Sequence, residues 1–237
     1  MIDAATDARQ AVNAWLQLEA DDPACNDARD TVAALGRDVL QRAAGVTAGS
    51  GPTRATGEEL AAAIEELRSE IRDLDAGGAG DSGWFRRVVA KVPGVGSPAE
   101  RHARRLASVR QRIESMLRSA EAERAVLSRD NVTLRADLER LHELESNLDD
   151  GVRVVQAYVD ALEFAVDVEV PELDPRRTLF EDELLAGARR RIRELERARE
   201  TNRDGIEAVE STMEANRSVI REIEALTRTA SNRLETR

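Results

Sequence analysis

Residues 97–164 read SPAERHARRLASVRQRIESMLRSAEAERAVLSRDNVTLRADLERLHELESNLDDGVRVVQAYVDALEF, and the fold follows from what recurs in them. Ser97-Pro98-Ala99-Glu100 is a capping box with proline at the first helical position, so a helix starts here. The next proline is Pro171, which implies one helix of roughly 70 residues, about 105 Å long at the α-helical rise. Steps of seven from Leu106 reach Ile113, Ala120, Leu127, Leu134, Leu141, Leu148, Val155 and Leu162, every one apolar. The companion positions are apolar at Val109, Met116, Leu138, Leu144, Val152 and Val159 but polar at Glu123, Asp130 and Asn131. A narrow apolar stripe with this period is the seam of a coiled coil.

The stretch 170–175 holds two prolines and breaks the helix, after which Asp174-Pro175, or Thr178 with Glu181, starts a final helix. Its seam runs through Leu185, Ile192, Arg199, Ile206, Met213, Ile220, Thr227 and Leu234, flanked by Ala188, Leu195, Asn202, Val209, Asn216, Ile223 and Ala230. A short corner between two long heptad helices makes them antiparallel neighbours. Folding about Leu173 brings Asn131 near Asn216, and Glu145 or Asn147 near Arg199 and Asn202. Polar interruptions matched in this way would fix register; the alternative is that they rotate to solvent. The last heptad is still in phase at Arg237 with no capping signal, so the expectation is a fragment or an end covered by a partner.

Shorter helices precede the long one. Ala8, Val12, Trp15 and Leu16 mark a weak first helix. Asp22-Pro23 opens a second, whose apolar residues Ala28, Val32, Leu35, Val39 and Ala43 run to Gly45. Thr56-Gly57-Glu58-Glu59 is another capping box, leading into Leu60, Ile64, Leu67, Ile71 and Leu74. Residues 45–55 and 76–83 read as linkers. The expected organisation is a short-helix region over 1–78, a basic amphipathic segment and linker over 79–97, and a long antiparallel helical hairpin over 98–237. The fold class is all-α: a long antiparallel coiled-coil hairpin with small N-terminal helices packed on or beside it.

Composition agrees. Charged residues are 34% and aromatics 3% of 237, with Ala, Leu, Arg and Glu dominant, which suits helices and excludes an ordinary β domain. One cysteine, Cys25, excludes a disulfide framework and a multi-thiolate metal site. His102 and His142 are too far apart in sequence for a compact histidine cluster. No apolar run has the length of a membrane span and no signal peptide is evident, so the chain is expected to be cytoplasmic. The net charge of −11 opposes nucleic-acid binding. Within it, residues 84–112 form a basic island, with eight Arg and Lys side chains against Glu100.

Taken in order, these pieces resemble the TelA/KlaA family of toxic-anion (tellurite) resistance proteins. Ala34-Leu35-Gly36 with Val39-Leu40 is similar to the family's N-terminal helix, although Leu35 replaces the usual aromatic residue. Gly57-Glu58-Glu59-Leu60 through Asp73-Leu74-Asp75 resembles its next short helix, and residues 84–94 resemble its basic aromatic segment. Leu127-Ser128-Arg129-Asp130-Asn131-Val132-Thr133-Leu134 is similar to its L-x-x-D-N-x-x-L motif, the most specific match. Asn202, Gly205 and Ile206 are similar to a polar and glycine pattern further on. Family members continue well beyond residue 237, so the resemblance implies a truncated or divergent member. It implies a role in resistance to tellurite and related stress.

Catalytic, metal and cofactor sites are not expected. Cys25 stands among Asp22, Asp27 and Asp30, which disfavour a reactive thiolate, and neither a dinucleotide fingerprint nor a phosphate-binding loop is present. Three other candidates remain. Trp84, Phe85, Arg86, Arg87, Val88 and Lys91 would form a cationic amphipathic helix able to touch a protein partner or, weakly, an anionic membrane at its inner face; the same apolar side could instead pack internally. Arg101, Arg104 and Arg105 at a helix start form a weak anion-site candidate. Asp130, Asn131, Asn202 and Asn216 form the family-like motif and polar layer. Protein partnership or self-association is expected, and a generic coiled-coil spacer is a further alternative.

Overall fold

A computed structural model describes residues 3–49, 62, 64–66, 68–69, 72 and 98–235, of which 47–49, 98–103, 105, 106 and 235 are described by backbone alone. Every regular element among them is helical: α1 (Ala4–Trp15), α2 (Ala24–Ala34), α3 (Arg37–Gly49), α4 (Pro98–Phe164) and α5 (Ala186–Glu235). Two π-helical pieces, Ala165–Glu169 and Leu179–Leu185, extend the facing ends of α4 and α5. The chain forms two compact units, Met1–Gly51 with Arg135–Glu210, and Pro52–Leu134 with Ser211–Arg237. The long helices α4 and α5 contribute to both and pack together in each.

In the first unit the short helices are amphipathic and bury one face each. Asp3 caps α1 in extended conformation, and Ala8, Val12 and Trp15 then lie on one buried stripe. The Asp22 carboxylate accepts the Ala24 N–H at 2.8 Å, starting α2 where the sequence predicts. The predicted single helix to Gly45 is instead two helices. Gly36 adopts φ +67° and turns the chain between α2 and α3, and its missing side chain admits Leu195. The apolar period runs unbroken through this turn because both short helices face the same core. Helix α3 also continues past Gly45 to Gly49, into the stretch read as a linker.

That core is contiguous. It joins Val12, Trp15, Cys25, Ala28 and Val32 to Leu148, Val155 and Leu162 of α4 and to Ala188 and Leu195 of α5. Trp15 and Tyr158 meet with ring centroids 6.0 Å apart. Phe180 and Leu184, on the second π-helical piece, are fully buried, each contributing about 2 kcal/mol of apolar transfer. Leu173 is 97% exposed at the corner, as expected of its outermost residue.

The corner is held by two arginines. Arg177 donates to the carbonyls of Val166 (3.1 Å) and Val170 (3.0 Å), which the end of the first π-helical piece leaves without helical partners. Arg176 is paired with Asp174 at 2.7 Å and donates to the carbonyls of Leu16 and Leu18, tying the end of α1 to the corner.

The second unit has a thinner core. Ile113 and Ala230 form one buried cluster with Val109, Met116 and Leu226 beside it; Ile64, Leu127 and Ile223 form another. Apart from Leu226 these are seam residues of the heptads, with Ile64 added from the helical residues 64–66. Among the described residues no helix is long and apolar enough to cross a membrane.

Candidate functional site

The apolar seams bury as their spacing requires: Leu141, Leu148, Val155 and Leu162 on α4, with Leu185 at the end of the second π-helical piece and Ala188 and Leu195 on α5. Polar residues that fall on such a seam are drawn inward with their neighbours and must find partners there. The candidate site consists of those that do.

In the first unit Asn202 is 2% exposed, and its amide donates to the Leu141 carbonyl at 3.0 Å. Its own carbonyl oxygen has no hydrogen-bond partner among the described residues. Around it lie two interhelical ion pairs, Arg203 with Glu145 at 2.9 Å and Arg199 with Asp149 at 2.7 Å. The Arg203 guanidinium donates to Glu145 and holds its carboxyl below the usual range, against a smaller opposing effect of burial. Toward the corner, Arg189 pairs with Glu163 at 2.7 Å. Partner numbers fall along α5 as they rise along α4.

In the second unit Asn216 donates to the carbonyl oxygen of Asn131 at 3.1 Å, with both residues partly buried. Arg124 pairs with Glu224 at 3.1 Å, and Arg68 pairs with Glu65 and with Glu222. Arg221 holds the carboxyl of Glu214 below its ordinary value by hydrogen bonding, assisted by Arg217.

The sequence-predicted pairing is therefore met at Asn131 and Asn216. The second expected layer differs. Arg199 takes Asp149 and Glu145 takes Arg203, so the charged contacts sit on the flanks of the seam, while Asn202 turns inward to a backbone carbonyl. A side chain as long as arginine reaches a flank position one turn away, which residue-by-residue folding about Leu173 does not anticipate. Asp130 is partly buried beside Asn131.

The remaining candidates divide by position. Trp84, Phe85, Arg86, Arg87, Val88 and Lys91 lie outside the described residues, as do both predicted capping boxes except for the backbone of residues 98–100. Arg101, Arg104 and Arg105 lie in the first turns of α4, and the Arg104 side chain is exposed. His142 is exposed, 3.8 Å from Glu145. Cys25 is buried, its thiol directed to the Glu19 carbonyl at 3.4 Å. Asp137 pairs with Arg140 at 2.9 Å, and Arg124 reaches across to Glu224 instead of its neighbour Glu123. Among the described residues no group of three or more His, Cys, Asp and Glu side chains is arranged for a metal ion. The arginine clasp of the corner was not anticipated, although Asp174-Pro175-Arg176-Arg177 places two forked donors where helix ends must expose carbonyls.

No protein-family profile, curated protein or solved structure matches this chain.

Proposed function

We propose that the chain is a non-enzymatic helical scaffold of the toxic-anion resistance kind, similar to TelA, in which α4 and α5 form a long antiparallel coiled-coil hairpin. The Asn131–Asn216 hydrogen bond carries this reading, because the most specific element of the resemblance, Leu127 through Leu134, supplies one half of a register-fixing polar layer. The opposite order of the ion pairs 163–189, 149–199 and 145–203 supports the antiparallel arrangement. The Asn131–Asn216 bond and the interhelical ion pairs engage polar groups of the two helices with one another, which suits a part that holds shape and presents surfaces. In this reading the protein works in the cytoplasm through a protein partner or a second copy.

The test is growth on tellurite of the source strain with the gene deleted, then complemented with the wild type and with Asn131→Leu plus Asn216→Leu. The scaffold role in resistance predicts a sensitive deletion rescued by the wild type. A deletion as resistant as its parent would leave a coiled-coil spacer without a stress role.

A further inference from the structure

A groove of about 1020 Å³ opens between α1 and the last turns of α4, wholly within the first unit, and of the interhelical polar pairs Arg199–Asp149 reaches its edge. Its floor is apolar and low, built from Val12 and Leu16 on one side and Val152, Ala157 and Ala161 on the other. At one end stands Phe164, 59% exposed, an unusual position for a phenylalanine beside a cavity.

The lining carries a small excess of negative charge, Asp3, Asp149, Asp160 and Glu169 against Arg9, Arg153 and Arg199. Two of its arginines are already neutralised, Arg199 by Asp149 and Arg153 by Asp150, both at 2.7 Å. Asp160 and Glu169 then remain against Arg9, while Asp3 is engaged as the cap of α1. Asp160 accepts the Gln156 amide at 2.7 Å, and Asp160 and Glu169 are both exposed on the Phe164 side. A fatty-acid carboxylate is repelled by such a rim, and the chain's net charge of −11 adds to that repulsion. A cationic occupant is attracted. From Asp149 to Phe164 the groove follows about 22 Å of helix, close to four turns. That is the footprint of one amphipathic helix laying leucine-like anchors on the floor and lysines or arginines along the rim.

We propose that the α1–α4 groove is the docking site for a basic amphipathic helix of a partner protein. Phe164 and the alanine floor receive the apolar face, and Asp160 and Glu169 receive the basic flank. This goes beyond the scaffold role and is read separately from it, on purified chain instead of in cells.

The probe is a labelled peptide of about fifteen residues, leucine at helical i, i+3, i+4 and i+7 spacing and lysine elsewhere, titrated with the full chain and followed by anisotropy. Three variants are compared: Ala161→Trp, which fills the floor; Asp160→Lys plus Glu169→Lys, two exposed positions whose change leaves packing intact; and Glu207→Lys plus Glu210→Lys, exposed elsewhere on α5. The expected result is saturable binding, weakened about tenfold or more by both groove variants and less than about twofold by the α5 control. Equal weakening by the control means nonspecific charge attraction and overturns the proposal. So does equal binding of the same peptide with glutamate for lysine, displacement of the peptide by palmitate, or a peptide-free dimer abolished by Ala161→Trp, which would assign the groove to a fatty acid or to a second copy.

Discussion

The side-chain amide of Asn216 meets the side-chain carbonyl of Asn131 at 3.1 Å, joining residues 85 positions apart in a seam that is otherwise largely apolar. The two side chains meet across the seam, so a shift of one helix along the other breaks the contact. Removing one partner leaves a partly buried amide unsatisfied. Asn131→Leu alone should lower stability by about 1–2 kcal/mol, while Asn131→Leu with Asn216→Leu should recover most of the loss. Urea denaturation of the four proteins in the cycle measures the coupling; additive losses would mean that the hydrogen bond does not operate in solution.

Asn202 differs, because among the described residues only its amide is used and its buried carbonyl oxygen is unpaired. The Leu141 carbonyl it contacts lies in the interior of α4, where helix geometry offers it a backbone N–H four residues on. Asn202→Leu should therefore raise the urea midpoint, by about 1 kcal/mol equivalent, whereas Asn202→Asp should lower it by burying a charge.

Two glycines of the first unit should respond in opposite directions. At Gly36 a Cβ would lie 2.9 Å from Leu195 Cδ1 on a backbone with φ +67°, so Gly36→Ala should cost about 1–3 kcal/mol. At Gly151, inside α4, the nearest atom is 3.5 Å away, an ordinary contact, so Gly151→Ala should stabilise by about 0.5–1 kcal/mol. Thermal melts of the two variants separate the effects.

The corner should be acid-sensitive. Hydrogen bonds from the Arg176 side chain and backbone hold the Asp174 carboxyl at about 2. A carboxyl depressed in the folded state contributes stability above its unfolded value, near pH 4, and loses that contribution as pH falls toward about 2. Glu145, lowered by Arg203, and Glu183, lowered by Arg29, act in the same direction. Urea midpoints measured from about pH 5 downward should fall, and Asp174→Asn should flatten the lower part of that fall. Hydrogen exchange near Leu16 and Leu18, whose carbonyls Arg176 holds, should quicken in Arg176→Ala.

Cys25 is 2% exposed in the main core. It should react with a disulfide reagent at least about 100-fold more slowly in the native protein than in urea. Rapid native labelling would show α2 opening from the unit.

Sequence alone determined that the described chain is helical, that a long helix starts at Pro98 and is broken before Pro171, which stripe it buries, and that Asn131 comes near Asn216, leaving open whether the two meet or turn to solvent. Those properties come from periodicity, caps and proline, which act over a few residues, and from a corner short enough to count residues across. Only the tertiary structure decided the break at Gly36, the inward turn of Asn202, the partners of Arg199 and Glu145, the arginine clasp and the groove beside Phe164. These depend on what a neighbouring helix leaves empty or fills. A glycine at φ +67° looks like any other in the sequence, and a long arginine can reach several acids at almost equal cost, so the choice is made by packing.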